Sequence, residues 1–126
     1  ALLKLYPGIN PDILDMFYEK GYKGIFIEGF GLGGMPFINN DFIGRVGEMV
    51  EKGMLVLVGS QCRYEGSNLM VYETGRLAIE KGVIQAYDMT AEAAITKLMW
   101  VLGQTDDIRE MKEYFSVNIA GEVNIG

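Results

Sequence analysis

The tripeptide Glu-Lys-Gly recurs at Glu19-Lys20-Gly21, Glu51-Lys52-Gly53 and Glu80-Lys81-Gly82, each time between a stretch with helical spacing of apolar residues and a short run of β-formers. Lysine at the end of a helix faces the partial negative charge of the dipole, and glycine just beyond it can take the left-handed conformation that releases the chain. Helix, stop and strand in repeated alternation predict a parallel α/β sheet. In open sheets of this kind ligands gather at the carboxyl ends of the strands, so function is to be sought in the loops that follow them.

The individual elements can be read in order. A first strand, about Leu2 to Tyr6, stops at Pro7-Gly8, and Asn10-Pro11 opens a helix whose buried stripe is Ile13, Leu14, Phe17 and Tyr18. Gly24 to Ile27 is a second strand that runs into the glycine-rich Gly29 to Gly34. A helix over about Asp41 to Lys52 precedes a third strand, Met54 to Val58, and the loop Gly59 to Gly66 leads to a helix carrying Met70, Thr74, Leu77 and Ala78. Val83 to Ala86 is a short fourth strand. Asp88 and Thr90 come before the strongest helix, with Ala91, Ala94, Ile95, Leu98, Met99 and Leu102 on one face and Trp100 and Val101 off it, which predicts cover on two sides. A last helix near Asp106 to Phe115 is followed by a tail, Asn118 to Gly126, lying over it. The predicted fold is a three-layer α/β domain with a four-stranded parallel sheet, flavodoxin-like, with residues 1–126 forming a single domain.

Composition narrows the chemistry. Hydrophobic residues make up 49% and charged residues 22%, and no apolar run approaches the roughly 18 residues of a membrane span. Eleven basic against seventeen acidic residues give a net charge of -6 with no face that collects Lys and Arg, which argues against nucleic acid as a direct partner. Zero histidines remove the commonest general base and most zinc sites, and the single cysteine, Cys62, excludes an intrachain disulfide. No metal and no cofactor are expected. The opening Ala1-Leu2-Leu3-Lys4-Leu5-Tyr6 begins directly on a strand, as a piece of a longer protein would.

Gly29, Gly31 and Gly34 have the spacing of a dinucleotide fingerprint, but Met35-Pro36-Phe37-Ile38-Asn39-Asn40 separates them from the next helix, so no helix terminus meets a pyrophosphate. A loop so rich in glycine can still bring backbone amides close to a ligand or a neighbouring chain. Cys62 lies just past a strand beside Arg63, yet with no imidazole to serve it a buried thiol is the expectation. Ser60, Thr74, Thr90 and Thr96 share that lack, and Lys97 is expected to run its stem out to solvent. Asp12, Asp88 and Glu92 fit helix caps or first turns, where acidic residues are favourable. No catalytic residue is assigned within the chain.

Several segments taken together resemble the carboxyl-terminal domain of the asparaginase family: Tyr6-Pro7-Gly8, Lys20 to Ile25, Glu28 to Pro36, Ser60-Gln61-Cys62, Tyr72 to Arg76, Gly82-Val83-Ile84, Asp88 to Gly103 and Asn118 to Glu122. The resemblance is to cytosolic type I L-asparaginases and to the related D subunit of the glutamyl-tRNA amidotransferase. It implies an amidohydrolase acting on L-asparagine, with a threonine nucleophile, a second threonine and an Asp-Lys pair all in an amino-terminal domain. The chain alone would then hydrolyse nothing. It implies also a cytoplasmic homodimer or homotetramer in which the glycine loop, with Gly33 and Gly34 at its tip, touches substrate in a neighbouring subunit. Many members carry asparagine where Gly34 stands. Some type I enzymes bind effector asparagine near the residue matched by Cys62, partly through a basic residue matched here by Glu28. Asparaginase is the first reading, the D subunit the second, and a ligand-sensing or interaction domain the third.

Overall fold

The computed structural model of the protein describes residues 1–6, 8–29, 42–60 and 79–123. In chain order these form β1 (Leu2–Lys4), α1 (Asp12–Glu19), β2 (Gly24–Gly29), α2 (Phe42–Glu51), β3 (Leu55–Ser60), β4 (Ile84–Gln85), α3 (Ala91–Gln104) and α4 (Ile108–Phe115). The expected helix around Met70 to Ala78 lies outside the described residues; residues 79–80 after it are helical.

All strand pairs are parallel, in the order β1-β2-β3-β4. Successive side chains point to opposite faces. On one face Ile25, Ile27, Val56 and Val58 meet Leu14 of α1 and Val46 of α2. On the other, Phe26, Leu55 and Leu57 meet Leu98 of α3 and Phe115 of α4. This gives the three layers. With both faces covered, every residue of β2 is buried. Phe26, Phe42 and Phe115 are among the largest fully buried side chains, and each such burial contributes about 1.5–3 kcal/mol.

The strands follow chain order, whereas flavodoxin runs 2-1-3-4-5. Right-handed crossovers that always step in one direction leave their helices on one face, which is why α1 and α2 share a layer and α3 begins the other only after β4. Among the described strands there is no reversal of order and so no switch point at the carboxyl edge.

The three Glu-Lys-Gly turns close as their sequence requires. Gly21, Gly53 and Gly82 have φ of 87°, 94° and 96°. Gly21 N–H donates to Tyr18 O at 3.0 Å and Tyr22 N–H to Phe17 O at 3.1 Å; Gly53 and Met54 repeat this toward Val50 and Met49, both at 3.0 Å. This is the paired Schellman closure, which satisfies carbonyls the helix leaves open. Lys52 also sets its ammonium 4.8 Å from the centre of the Tyr18 ring, linking two of the turns.

Helix starts are equally local. Asn10 Oδ1 accepts from Asp12 N–H at 3.0 Å, Thr90 Oγ1 from Ala93 N–H at 3.1 Å, and Asp107 Oδ1 from Arg109 N–H at 2.8 Å. Arg45 of α2 ties the first two helices together by donating to Asp12 and Asp15 of α1.

The face of α3 differs from expectation. Its buried residues are Ala94, Lys97, Leu98 and Val101, while Met99 is 69% exposed. The helix is rotated so that Lys97, not Met99, turns inward. Val101 is buried on the same face as Ala94 and Leu98, and Trp100 stays 43% exposed, so the helix is not covered on two sides as expected. Residues 116–123 then cross α3 and α4, and Val123 re-enters the core at 4% exposure.

Candidate functional site

The carboxyl edge of the sheet is made by Lys4 of β1, Glu28 and Gly29 of β2, and Gly59 and Ser60 of β3. Lys4 pairs in register with Glu28, Glu28 with Gly59, and Gly29 with Ser60. The Glu28 side chain is 7% exposed, and its Oε2 lies 3.8 Å from the Nζ of Lys4, which is 69% exposed. With one partner in solvent, that contact contributes at most about 1 kcal/mol. Beside it, a Cβ on Gly59 would lie 2.8 Å from Phe26 Cζ. Glycine there lets the Phe26 ring lie against the β3 backbone, and the ring closes the core immediately beneath the edge.

Glu28 is the one sequence-derived site residue within the described set. Gly33, Gly34 and Cys62 lie outside the described residues. The roots of their segments are nevertheless fixed. Segment 30–41 follows Gly29 and segment 61–78 follows Ser60, and those two residues are register partners on adjacent strands. Gly29 and Ser60, the last described residues before those segments, therefore lie side by side at the edge, next to the buried carboxylate of Glu28.

Four of the other candidates, Asp12, Glu92, Thr90 and Thr96, have structural work, and Thr74 lies outside the described residues. Asp12 and Glu92 stand in first helical turns, Asp12 is held by Arg45, Thr90 caps α3, and Thr96 Oγ1 donates to the main-chain oxygen of Glu92 at 2.7 Å. Among the described residues no group of three or more His, Cys, Asp or Glu is placed to hold a metal ion, and no helix is long and apolar enough to cross a membrane.

Lys97 corrects the expectation of a solvated stem. It is 6% exposed, and its ammonium donates to Val117 O at 2.6 Å and to Glu122 Oε2 at 2.8 Å. Glu122 also accepts from Ile119 N–H at 3.0 Å and Ala120 N–H at 2.6 Å. The bond from Lys97, helped by these amides, lowers the Glu122 carboxyl to about 2. Two signals pointed to this pair: Lys97 shares the inward face with Ala94 and Val101, and Glu122 is the lone acid of the tail segment Asn118 to Glu122.

Three layers around a sheet of parallel strands define an α/β domain. The model for the Glutaminase/Asparaginase C-terminal domain matches residues 1–115, and the chain belongs to that family. The D subunit of the glutamyl-tRNA(Gln) amidotransferase of Pyrococcus abyssi is 49% identical over 123 residues, which are 98% of this chain and 27% of that protein. Its counterpart in Thermococcus kodakarensis is 47% identical over 123 residues, with the same coverage of 98% and 27%. Among solved structures, the thermostable L-asparaginase from Thermococcus kodakarensis superposes with a TM-score of 0.90 at 38% identity, over 99% of this chain and 38% of that one. The chain thus spans 27% of the length of the curated relatives it matches.

Proposed function

We propose that this chain is the C-terminal domain of the D subunit of a glutamyl-tRNA(Gln) amidotransferase. The observation that carries the reading is a contrast within one organism. The chain is 47% identical to the D subunit of Thermococcus kodakarensis and 38% identical to the L-asparaginase of Thermococcus kodakarensis.

In this role the domain is a scaffold for amide cleavage performed elsewhere. A hydroxyl nucleophile needs a base within hydrogen-bond reach. The threonines and the Asp-Lys pair that meet this need belong to an upstream domain of the same polypeptide, and the 126-residue chain alone cleaves no amide. Gly33 and Gly34 shape the loop that reaches L-asparagine in a neighbouring subunit, and Glu28 with Cys62 lines an adjoining pocket for an effector. The protein works in the cytoplasm as a homodimer or homotetramer, without metal or cofactor. With a net charge of -6, this domain leaves tRNA contact to other parts of the assembly.

A second reading, the L-asparaginase itself, is supported by the superposition at a TM-score of 0.90 over 99% of the chain. The full-length polypeptide tests one against the other through ammonia release from asparagine, measured with and without the companion amidotransferase subunit and Glu-tRNA(Gln). The D-subunit reading expects stimulation by about ten-fold or more together with formation of Gln-tRNA(Gln). Full release from free asparagine with no stimulation would select the asparaginase.

A further inference from the structure

Trp100, Val117 and Ile119 are 43%, 52% and 48% exposed although large and apolar, and they meet where α3, α4 and the tail converge. A groove of about 620 Å³ runs between α3, α4 and the tail, and a second of about 490 Å³ lies between α3 and the tail; Trp100 and Ile119 line both. The Trp100 ring is held edge-on against Tyr114, with centroids 5.2 Å apart and planes at 82°. Glu110 and Glu113 border the first groove and Glu92 the second. Among the described residues the one basic side chain on either lining is Lys97, whose charge is taken up by Glu122. That same pair fixes the tail, so the groove wall is ordered before anything binds.

We propose that this surface docks a basic amphipathic helix of a partner protein, with apolar side chains seated on Trp100 and Ile119 and Lys or Arg side chains beside Glu92, Glu110 and Glu113. Helices bind such grooves through one apolar face, and a rigid tryptophan is the side chain most often found carrying the energy of such a contact. Charge selects the occupant. A two-fold contact between copies would press one carboxylate rim against the same rim on the other copy, and a nucleic acid would meet the same repulsion. The inference does not depend on which amide-cleaving parent carries the domain.

The full-length polypeptide is titrated into a labelled helical peptide with one leucine face and one lysine face, read by anisotropy, beside a peptide with glutamate in place of lysine. Saturable binding of the lysine peptide is expected, with none for the glutamate peptide. Affinity should fall by about ten-fold or more in Trp100→Ala and in the rim variant Glu110→Lys/Glu113→Lys, while Glu19→Lys on the opposite layer changes it little; circular dichroism confirms that each variant folds. No binding, binding indifferent to the Trp100 and rim changes, or self-association lost in Trp100→Ala would each overturn the proposal, the last in favour of a second copy.

Discussion

Lys97 Nζ and Glu122 Oε2 lie 2.8 Å apart across 25 positions of chain, and the pair fastens a tail that is neither helix nor strand. Their side chains are 5% and 13% exposed. Removing one partner strands the other charge in a poor solvent, whereas removing both leaves an apolar contact. Glu122→Ala should therefore destabilise by about 3 kcal/mol. Lys97→Met should cost less, about 1–2 kcal/mol, because two amides still serve the carboxylate. The double variant should fall short of their sum by about 1–3 kcal/mol. Urea unfolding of the four proteins measures all three values.

The same pair predicts an acid response. Glu122 titrates at about 2 when folded against an ordinary 4.5. A depressed carboxyl stabilises the fold fully above its unfolded value, and that contribution drains away as pH falls from about 4.5 toward 2, because the unfolded chain binds the proton first. Stability measured across that window should drop less steeply in Glu122→Gln than in the wild type. An unchanged slope would show that the carboxylate is not held as described.

Two glycines should respond to alanine with opposite signs. Gly53 has φ of 94°, a conformation that penalises a Cβ, so Gly53→Ala should destabilise by about 1–2 kcal/mol. Gly103 lies within α3 and a Cβ on it would meet nothing within 4 Å. Gly103→Ala should stabilise by about 0.5–1 kcal/mol through helix propensity. Thermal unfolding of both variants checks the pair together.

On the proposed reading, Gly34 stands where many members of the family carry an asparagine whose amide helps hold the substrate. In the full-length polypeptide, Gly34→Asn should restore one hydrogen bond to substrate, worth about 0.5–1.5 kcal/mol, and lower KM for asparagine by about two- to ten-fold. Steady-state kinetics on the two proteins measures the change.

How much of this was legible follows from the range of each interaction. The Glu-Lys-Gly turns were readable because helix termination depends on residues within one turn, and Gly21, Gly53 and Gly82 all take the left-handed conformation. The parallel sheet followed from those turns. Strand order did not, because register such as Ile27 against Val58 is set by packing between distant segments. The face of α3 was misjudged because hydrophobic spacing gives weight to Met99 and none to a charged residue. Lys97 could turn inward only because Glu122, far along the chain, was waiting there. Of the expected site, the family resemblance implied Glu28, Gly33, Gly34 and Cys62; the structure adds that Gly29 and Ser60, which precede the segments carrying the last three, are paired on adjacent strands.

The central claim is that these residues support amide cleavage without performing it. Ammonia release from L-asparagine by the purified 126-residue chain, set beside the full-length polypeptide under identical conditions, tests it most directly. The account predicts release by the full-length polypeptide and none above buffer by the chain alone. Turnover by the chain alone, abolished by substituting one of its own residues, would contradict it.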